Sequence, residues 1–130
     1  MASIHKQLLV HVSVEAAWAA LRQVENAHTL FAPVLVDARL DGDLRTVRFA
    51  NGMTVRERIL NVDDERCRVA YAALDAPGVA YHHASMQVHD AGEGRALFVW
   101  ITDFLPAEVG SQLTPLIEQG SQALKTHLER

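Results

Sequence analysis

Apolar and polar residues alternate along much of this chain, and the places where the alternation stops divide it into parts. Residues 4–12 alternate and predict a first strand. Ser13 then lies where a helix N-cap is expected, and apolar residues recur at helical spacing over residues 14–24. A second short helix is predicted over residues 27–32, because Pro33 would end it.

Beyond that proline the pattern becomes a series of strands. Clusters of Gly, Asp, Asn and Pro separate short alternating segments, as expected for tight turns. Six strands are predicted, at residues 34–41, 43–50, 53–62, 65–75, 79–90 and 94–105. Because short turns join consecutive strands, these strands should pair as antiparallel hairpins.

The helical period returns after the last strand and predicts one long helix near residues 107–129. Pro115 either kinks this helix or begins its main segment, with Thr114 as N-cap. Gly120 lies in the middle of the apolar stripe, where glycine costs about 1 kcal/mol relative to alanine. It therefore indicates either close contact between helix and sheet or space for a ligand.

The order of elements predicts an α+β fold with a helix-grip arrangement. A curved, seven-stranded antiparallel sheet would wrap around the long C-terminal helix, with the two short helices between strands one and two. The 130 residues are 49% hydrophobic and 22% charged, which is typical of one folded domain spanning residues 1–130.

Charge and cysteine content narrow the expected partners and location. The net charge is −4 and no basic stripe occurs, so nucleic acid is not an expected partner. Cys67 is the single cysteine, which excludes an internal disulfide and suits a reducing compartment. No run near the N-terminus is long enough for a signal peptide or membrane span. We therefore expect a cytoplasmic protein without membrane insertion.

One strand contains a residue that does not suit its surroundings. In the segment GMTVRERILNV the apolar face, made by Met53, Val55 and Ile59, also carries Glu57. A carboxylate among residues that are expected to be buried needs a reason.

Four stretches, in order, resemble the START/Bet v 1-like (SRPBCC) helix-grip superfamily and, within it, the bacterial polyketide cyclase/dehydrase-like group. They are VSVEAAWAAL, LRTVRFANGMTVRERILNVDDERCRVAY, ASMQVHDAGEGRALFVWITDF and IEQGSQALKTHLE, with Trp18 in the first and Trp100 in the third. The resemblance implies a cavity between sheet and helix that usually holds a small, mostly apolar molecule. It does not fix the function, since the superfamily includes cyclases, lipid carriers and hormone receptors.

The resemblance also gives the glutamate two interpretations. The family residue at the position of Glu57 usually points into the cavity, so Glu57 is predicted to anchor a ligand on an apolar wall. Alternatively, it is buried because it pairs with an arginine across the hairpin, such as Arg45 or Arg48.

Two further polar residues are predicted to face the cavity. His82 lies on the apolar face of its strand, where the family often has tyrosine; it is either a general base or a core histidine bonded to the backbone. Tyr71 should also point inward, where its hydroxyl needs a partner. The predicted ligand-binding wall, with Asp103 near its mouth, consists of Val55, Ala84, Met86, Val99, Ile101, Asp103, Leu116, Ile117 and Gly120.

No metal site and no cofactor are predicted. His82 and His83 are adjacent on one strand and point to opposite faces, so they cannot share an ion. Glu25 and His28 form a single copy of a pattern that di-iron sites need twice. The sequence contains no Walker loop, Rossmann fingerprint or nucleophile elbow.

Two functions fit these residues. The first is a cofactor-independent enzyme for polyketide-type cyclisation or dehydration, in which His82 moves protons, Glu57 assists or orients, and Tyr71 donates to a developing enolate. The second is a non-catalytic carrier or sensor of a small hydrophobic ligand or lipid. A purely structural interaction domain would instead have a filled core. The apolar outer face predicted for the last strand suggests a homodimer.

Overall fold

A computed structural model describes residues 2–130 and shows one curved, antiparallel sheet with a long helix against it. The strands are β1 (Ala2–Val10), β2 (Leu35–Asp41), β3 (Leu44–Phe49), β4 (Thr54–Asp63), β5 (Arg68–Ala73), β6 (Tyr81–Gly92) and β7 (Arg95–Leu105). The helices are α1 (Val14–Leu21), α2 (Ala27–Leu30) and α3 (Gly110–Leu128), with 3-10 turns at Val24–Asn26 and Ala107–Val109. The predicted helix-grip fold is confirmed.

The strand order is β1-β7-β6-β5-β4-β3-β2. From β2 onward each strand pairs with the next along the chain, as expected for strands joined by short turns or, between β5 and β6, by a loop over residues 74–80. Gly42 and Gly52 adopt left-handed φ angles of 62° and 90° in two of these turns, a conformation that other residues rarely adopt. The N-terminal strand then pairs with β7, which places the first and last strands side by side.

Helix α1 begins as predicted, since the Ser13 hydroxyl accepts a hydrogen bond from the Ala16 N–H at 3.1 Å. Its buried Trp18 donates through Nε1 to Asp64 at 2.9 Å, and Arg22 donates to the same carboxylate at 2.8 Å. Arg22, and then Trp18, lower the pKa of Asp64. These bonds join α1 to the turn between β4 and β5.

Helix α3 begins at Gly110 and contains Pro115 as its sixth residue. Of the two alternatives for Pro115, the later start capped by Thr114 is therefore wrong; the proline lies inside the helix and removes the N–H that would bond to Ser111. Close contact explains Gly120, because a Cβ there would lie 3.2 Å from the ring of Trp100. Among residues 2–130 no helix is both long and apolar enough to cross a membrane.

Candidate ligand-binding site

A cavity of about 120 Å³ lies between the sheet and α3. Its wall is mostly apolar and is contributed by β2 to β7, the loop before β6, α3, and α2 with the segment that follows it. The structure places these predicted wall residues on it: Val55, Met86, Leu116, Ile117 and Gly120. The side chains of Glu57, Tyr71 and His82 also line the cavity.

Three predicted wall residues on β7 point the other way. Val99, Ile101 and Asp103 lie on the outer face of the sheet, where Ile101 pairs with Ser85 of β6. The Ser3 hydroxyl of β1 donates to Asp103 there. The prediction that these three line the cavity is therefore wrong. Both faces of β7 are apolar, so alternation alone could not identify the inner one.

The inner face of β7 carries the aromatic residues instead. Phe98 and Phe104 are fully buried, while Trp100 and Thr102 line the cavity. Ala84, the remaining predicted wall residue, is fully buried in the core and is not on the wall. The larger side chains could have indicated the inner face, since bulky aromatic residues contribute most to core burial.

Sequence reasoning missed the wall residues from the loop between β5 and β6, from the turn between β3 and β4, and from α2 to the start of β2. Ala76 and Val79 come from the loop, and Phe49 and Met53 flank the turn. A more open groove lies beside the cavity and shares Val34, Phe49 and Leu116 with its wall. Loop residues carry no periodic signal, so their inward position follows only from the fold.

Glu57 forms a buried ion pair with Arg45. Nε and Nη2 of the arginine both lie 2.9 Å from Glu57 Oε1. Arg45 also donates to the Val24 carbonyl at 3.0 Å, and its guanidinium lies 5.4 Å from the centre of the Tyr71 ring. The predicted pairing with Arg45 is confirmed, and Arg48 is exposed.

The second carboxylate oxygen of Glu57 is free for other contacts. Among residues 2–130 none forms a hydrogen bond with Oε2, and Glu57 lies on the cavity wall. Burial raises the pKa of Glu57, while the charge and hydrogen bonds of Arg45 oppose the rise. Glu57 therefore both pairs with Arg45 and lines the cavity, so the two interpretations drawn from the sequence are compatible.

His82 is hydrogen-bonded to the backbone through its Nδ1, which accepts from the Ala73 N–H at 2.9 Å. An accepting Nδ1 in a neutral imidazole leaves the proton on Nε2. Burial, and to a lesser extent the neighbouring His83, lower the pKa of His82 to about 4. Of the two interpretations of His82, the bond to the backbone is therefore confirmed, and at neutral pH the ring keeps Nε2–H as a donor.

The sheet register arranges these residues in one row. Arg45 pairs with Glu57 across β3 and β4, Glu57 pairs with Ala73 across β4 and β5, and Ala73 bonds to His82 on β6. The backbones of Glu57 and His82 are thus two strands apart, or about 10 Å. Only the methyl group of Ala73 lies between them on the inner face.

Tyr71 lies in the next row, its ring centre 5.7 Å from that of His82. Burial, and then the charge of Glu57, raise the pKa of Tyr71 far above its ordinary range, so its hydroxyl stays protonated. The indole N–H of Trp100 partly opposes this rise, although it forms no well-aligned hydrogen bond within residues 2–130. The cluster therefore offers one acceptor, on Glu57, and two donors.

No group of three His, Cys, Asp or Glu side chains within residues 2–130 is arranged to hold a metal ion.

Solved structures resemble this fold closely at low sequence identity. An uncharacterized protein from Bacillus thuringiensis superposes with a TM-score of 0.89 at 19% identity, covering 98% of each chain. A START superfamily protein from Mycobacterium smegmatis gives 0.82 at 12% identity, covering 98% of this chain and 97% of that one.

Norcoclaurine synthase from Thalictrum flavum, in complex with dopamine and hydroxybenzaldehyde, gives a TM-score of 0.74 at 17% identity, covering 96% of this chain and 84% of that one. At such identities the likeness establishes the fold and no more. A search of curated proteins finds no match. A family profile for polyketide cyclase/dehydrase and lipid transport proteins matches residues 1–129. The chain therefore belongs to the polyketide cyclase/dehydrase and lipid transport family and has the helix-grip fold of START/Bet v 1-like proteins.

Proposed function

We propose that this protein binds a small, mostly hydrophobic molecule that carries a polar group at one end. The observation that supports this most directly is the apolar cavity whose polar wall groups are gathered at Glu57, Tyr71 and His82. An apolar pocket with a few convergent polar groups is the usual form of a small-molecule site. The related fold of norcoclaurine synthase holds aromatic molecules, which agrees with this proposal.

Filling the cavity at Leu116 tests the proposal. The wild-type protein should bind the neutral dye N-phenyl-1-naphthylamine, measured by the increase in dye fluorescence. Leu116 lines both the cavity and the adjacent groove, so the larger side chain in Leu116→Trp should occupy ligand space and weaken binding at least about tenfold, or about 1.4 kcal/mol. Gln112→Trp adds the same side chain at an exposed position of α3 away from the wall and should change nothing. A dye that failed to bind, or equal effects of both variants, would refute the proposal.

Catalysis is a second candidate, favoured by the free carboxylate oxygen opposite two donors. With its pKa raised, Glu57 is suited to remove a proton next to a carbonyl group. The Nε2–H of His82 and the hydroxyl of Tyr71 would then stabilise the enolate oxygen. This assigns proton removal to Glu57 and charge stabilisation to His82 and Tyr71, with no cofactor.

Proton exchange in deuterated water tests this second candidate. The protein should speed deuterium incorporation into the methyl group of 2-acetylnaphthalene, followed by NMR. Glu57→Gln should lower the rate at least about tenfold, because the amide is no base. Gln87→Glu adds a carboxylate on the outer face of β6 and should leave the rate unchanged. Exchange at the buffer rate in the wild type would favour the carrier.

A further inference from the structure

The space above Ala73 is bounded by groups of different hydrogen-bonding character. Glu57, Ala73 and His82 lie in one row across β4, β5 and β6 and all line the cavity, with the small side chain of Ala73 between the other two. Glu57 contributes the unpaired acceptor Oε2, and His82 contributes the donor Nε2–H. Any larger residue at 73 would fill this gap. Two hydrogen bonds of about 2.8 Å each that meet at the bent angle of one hydroxyl oxygen require the donor and acceptor to lie about 4.5–5 Å apart. Side chains that converge from backbones about 10 Å apart can reach that separation.

We propose that this gap is a subsite for a neutral hydroxyl group, of the phenol or enol type, and that it excludes carboxylates. The inference rests on the proposed function, since it names the chemistry of the ligand's polar end. A hydroxyl has one proton to donate to Glu57 and lone pairs to accept from His82, so a single atom satisfies both sides.

A carboxylate satisfies only one side of the subsite. It could accept from His82, but it has no proton for Glu57 and would meet a like charge in an apolar cavity. The charge of Arg45 reduces this repulsion only in part, and its Nε, Nη1 and Nη2 are already bonded to Glu57 and to the Val24 carbonyl, so it does not replace the missing hydrogen bond. An ammonium group has the opposite defect: it can donate to Glu57 but has no lone pair for His82.

Three ligands with one ring system separate these cases by calorimetry at pH 7.5: naphthalene, 2-naphthol and 2-naphthoate. We expect 2-naphthol to bind about tenfold more tightly than naphthalene, from its two hydrogen bonds. We expect 2-naphthoate to bind at least about tenfold more weakly than 2-naphthol.

Variants assign this selectivity to the subsite. Ala73→Val should bring 2-naphthol down to the affinity of naphthalene, whereas Ala72→Val, on the outer face beside Arg58, should leave all three affinities unchanged. Glu57→Gln should remove the discrimination against 2-naphthoate. Since that change leaves Arg45 unpaired, the double variant Arg45→Met with Glu57→Gln removes both charges and should give the same result.

The outcomes distinguish this inference from the proposed function. If naphthalene binds and 2-naphthol is no tighter than 2-naphthoate, the hydroxyl subsite is refuted and the apolar cavity stands. If Ala73→Val and Ala72→Val behave alike, the polar group binds elsewhere and the subsite is again refuted. If none of the three ligands binds, both proposals are overturned.

Discussion

Replacing Arg45 with methionine should lower the free energy of unfolding by about 3–5 kcal/mol. The change leaves Glu57 buried without its partner, and the side chains of the pair are only 8% and 12% exposed. It also removes the donor to the Val24 carbonyl. Urea titration followed by circular dichroism measures the loss.

An exposed ion pair in the same sheet provides the matched control. Arg58 contacts Asp43 at 2.7 Å, with side chains 46% and 60% exposed, so Arg58→Met should cost less than about 1 kcal/mol. Adding Glu57→Leu to Arg45→Met should recover most of the loss, because an apolar pair replaces the stranded charge. Equal costs for the two arginine variants would show that the buried pair is not protected from solvent.

Acid should destabilise this protein through His82. Its pKa falls from an ordinary 6.5 to about 4 on folding, so the unfolded chain binds the proton more tightly. The stabilisation from His82 is complete above pH 6.5 and is lost as the pH falls toward 4, for a total of about 3 kcal/mol. Glu57 acts in the opposite sense: its pKa is raised, so its contribution is greatest below its ordinary pKa and falls as pH rises.

Comparing variants at each pH separates the contribution of His82 to stability from that of Glu57. The stability of wild type minus that of His82→Gln should fall by about 3 kcal/mol between pH 7 and pH 4, as measured by urea titration at each pH. His89→Gln removes an exposed histidine from the same strand, and its stability should follow that of the wild type throughout. A constant difference between wild type and His82→Gln would mean that His82 is protonated freely in the folded state.

The sequence predicted the fold because alternation and turn residues are local signals. Each hairpin is closed by its own turn, and one buried face fixes the register of most strands. β7 is the exception, because Val99 and Ile101 are as apolar as the residues opposite them. The choice between its faces depends on which side α3 covers, and that is a tertiary contact.

The sequence predicted which polar residues face the cavity, but not which of them donate and which accept hydrogen bonds. Alternation placed Glu57, Tyr71 and His82 on one face, and the structure agrees. The tautomer of His82 depends on the Ala73 N–H, at the point where the pairing of β5 with β6 ends. No sequence pattern reports whether such an N–H lacks a backbone partner, so base and donor could not be distinguished beforehand.

Trp100 packs against Gly120 on the cavity wall, so it can serve as an intrinsic fluorescent probe of the cavity. The chain has two tryptophans, and the second one, Trp18, lies in α1 and donates a hydrogen bond to Asp64. In a Trp18→Phe background all indole emission would therefore come from the cavity wall. Its wavelength would report the polarity beside Gly120, and energy transfer to a bound aromatic molecule would report occupancy without any attached dye.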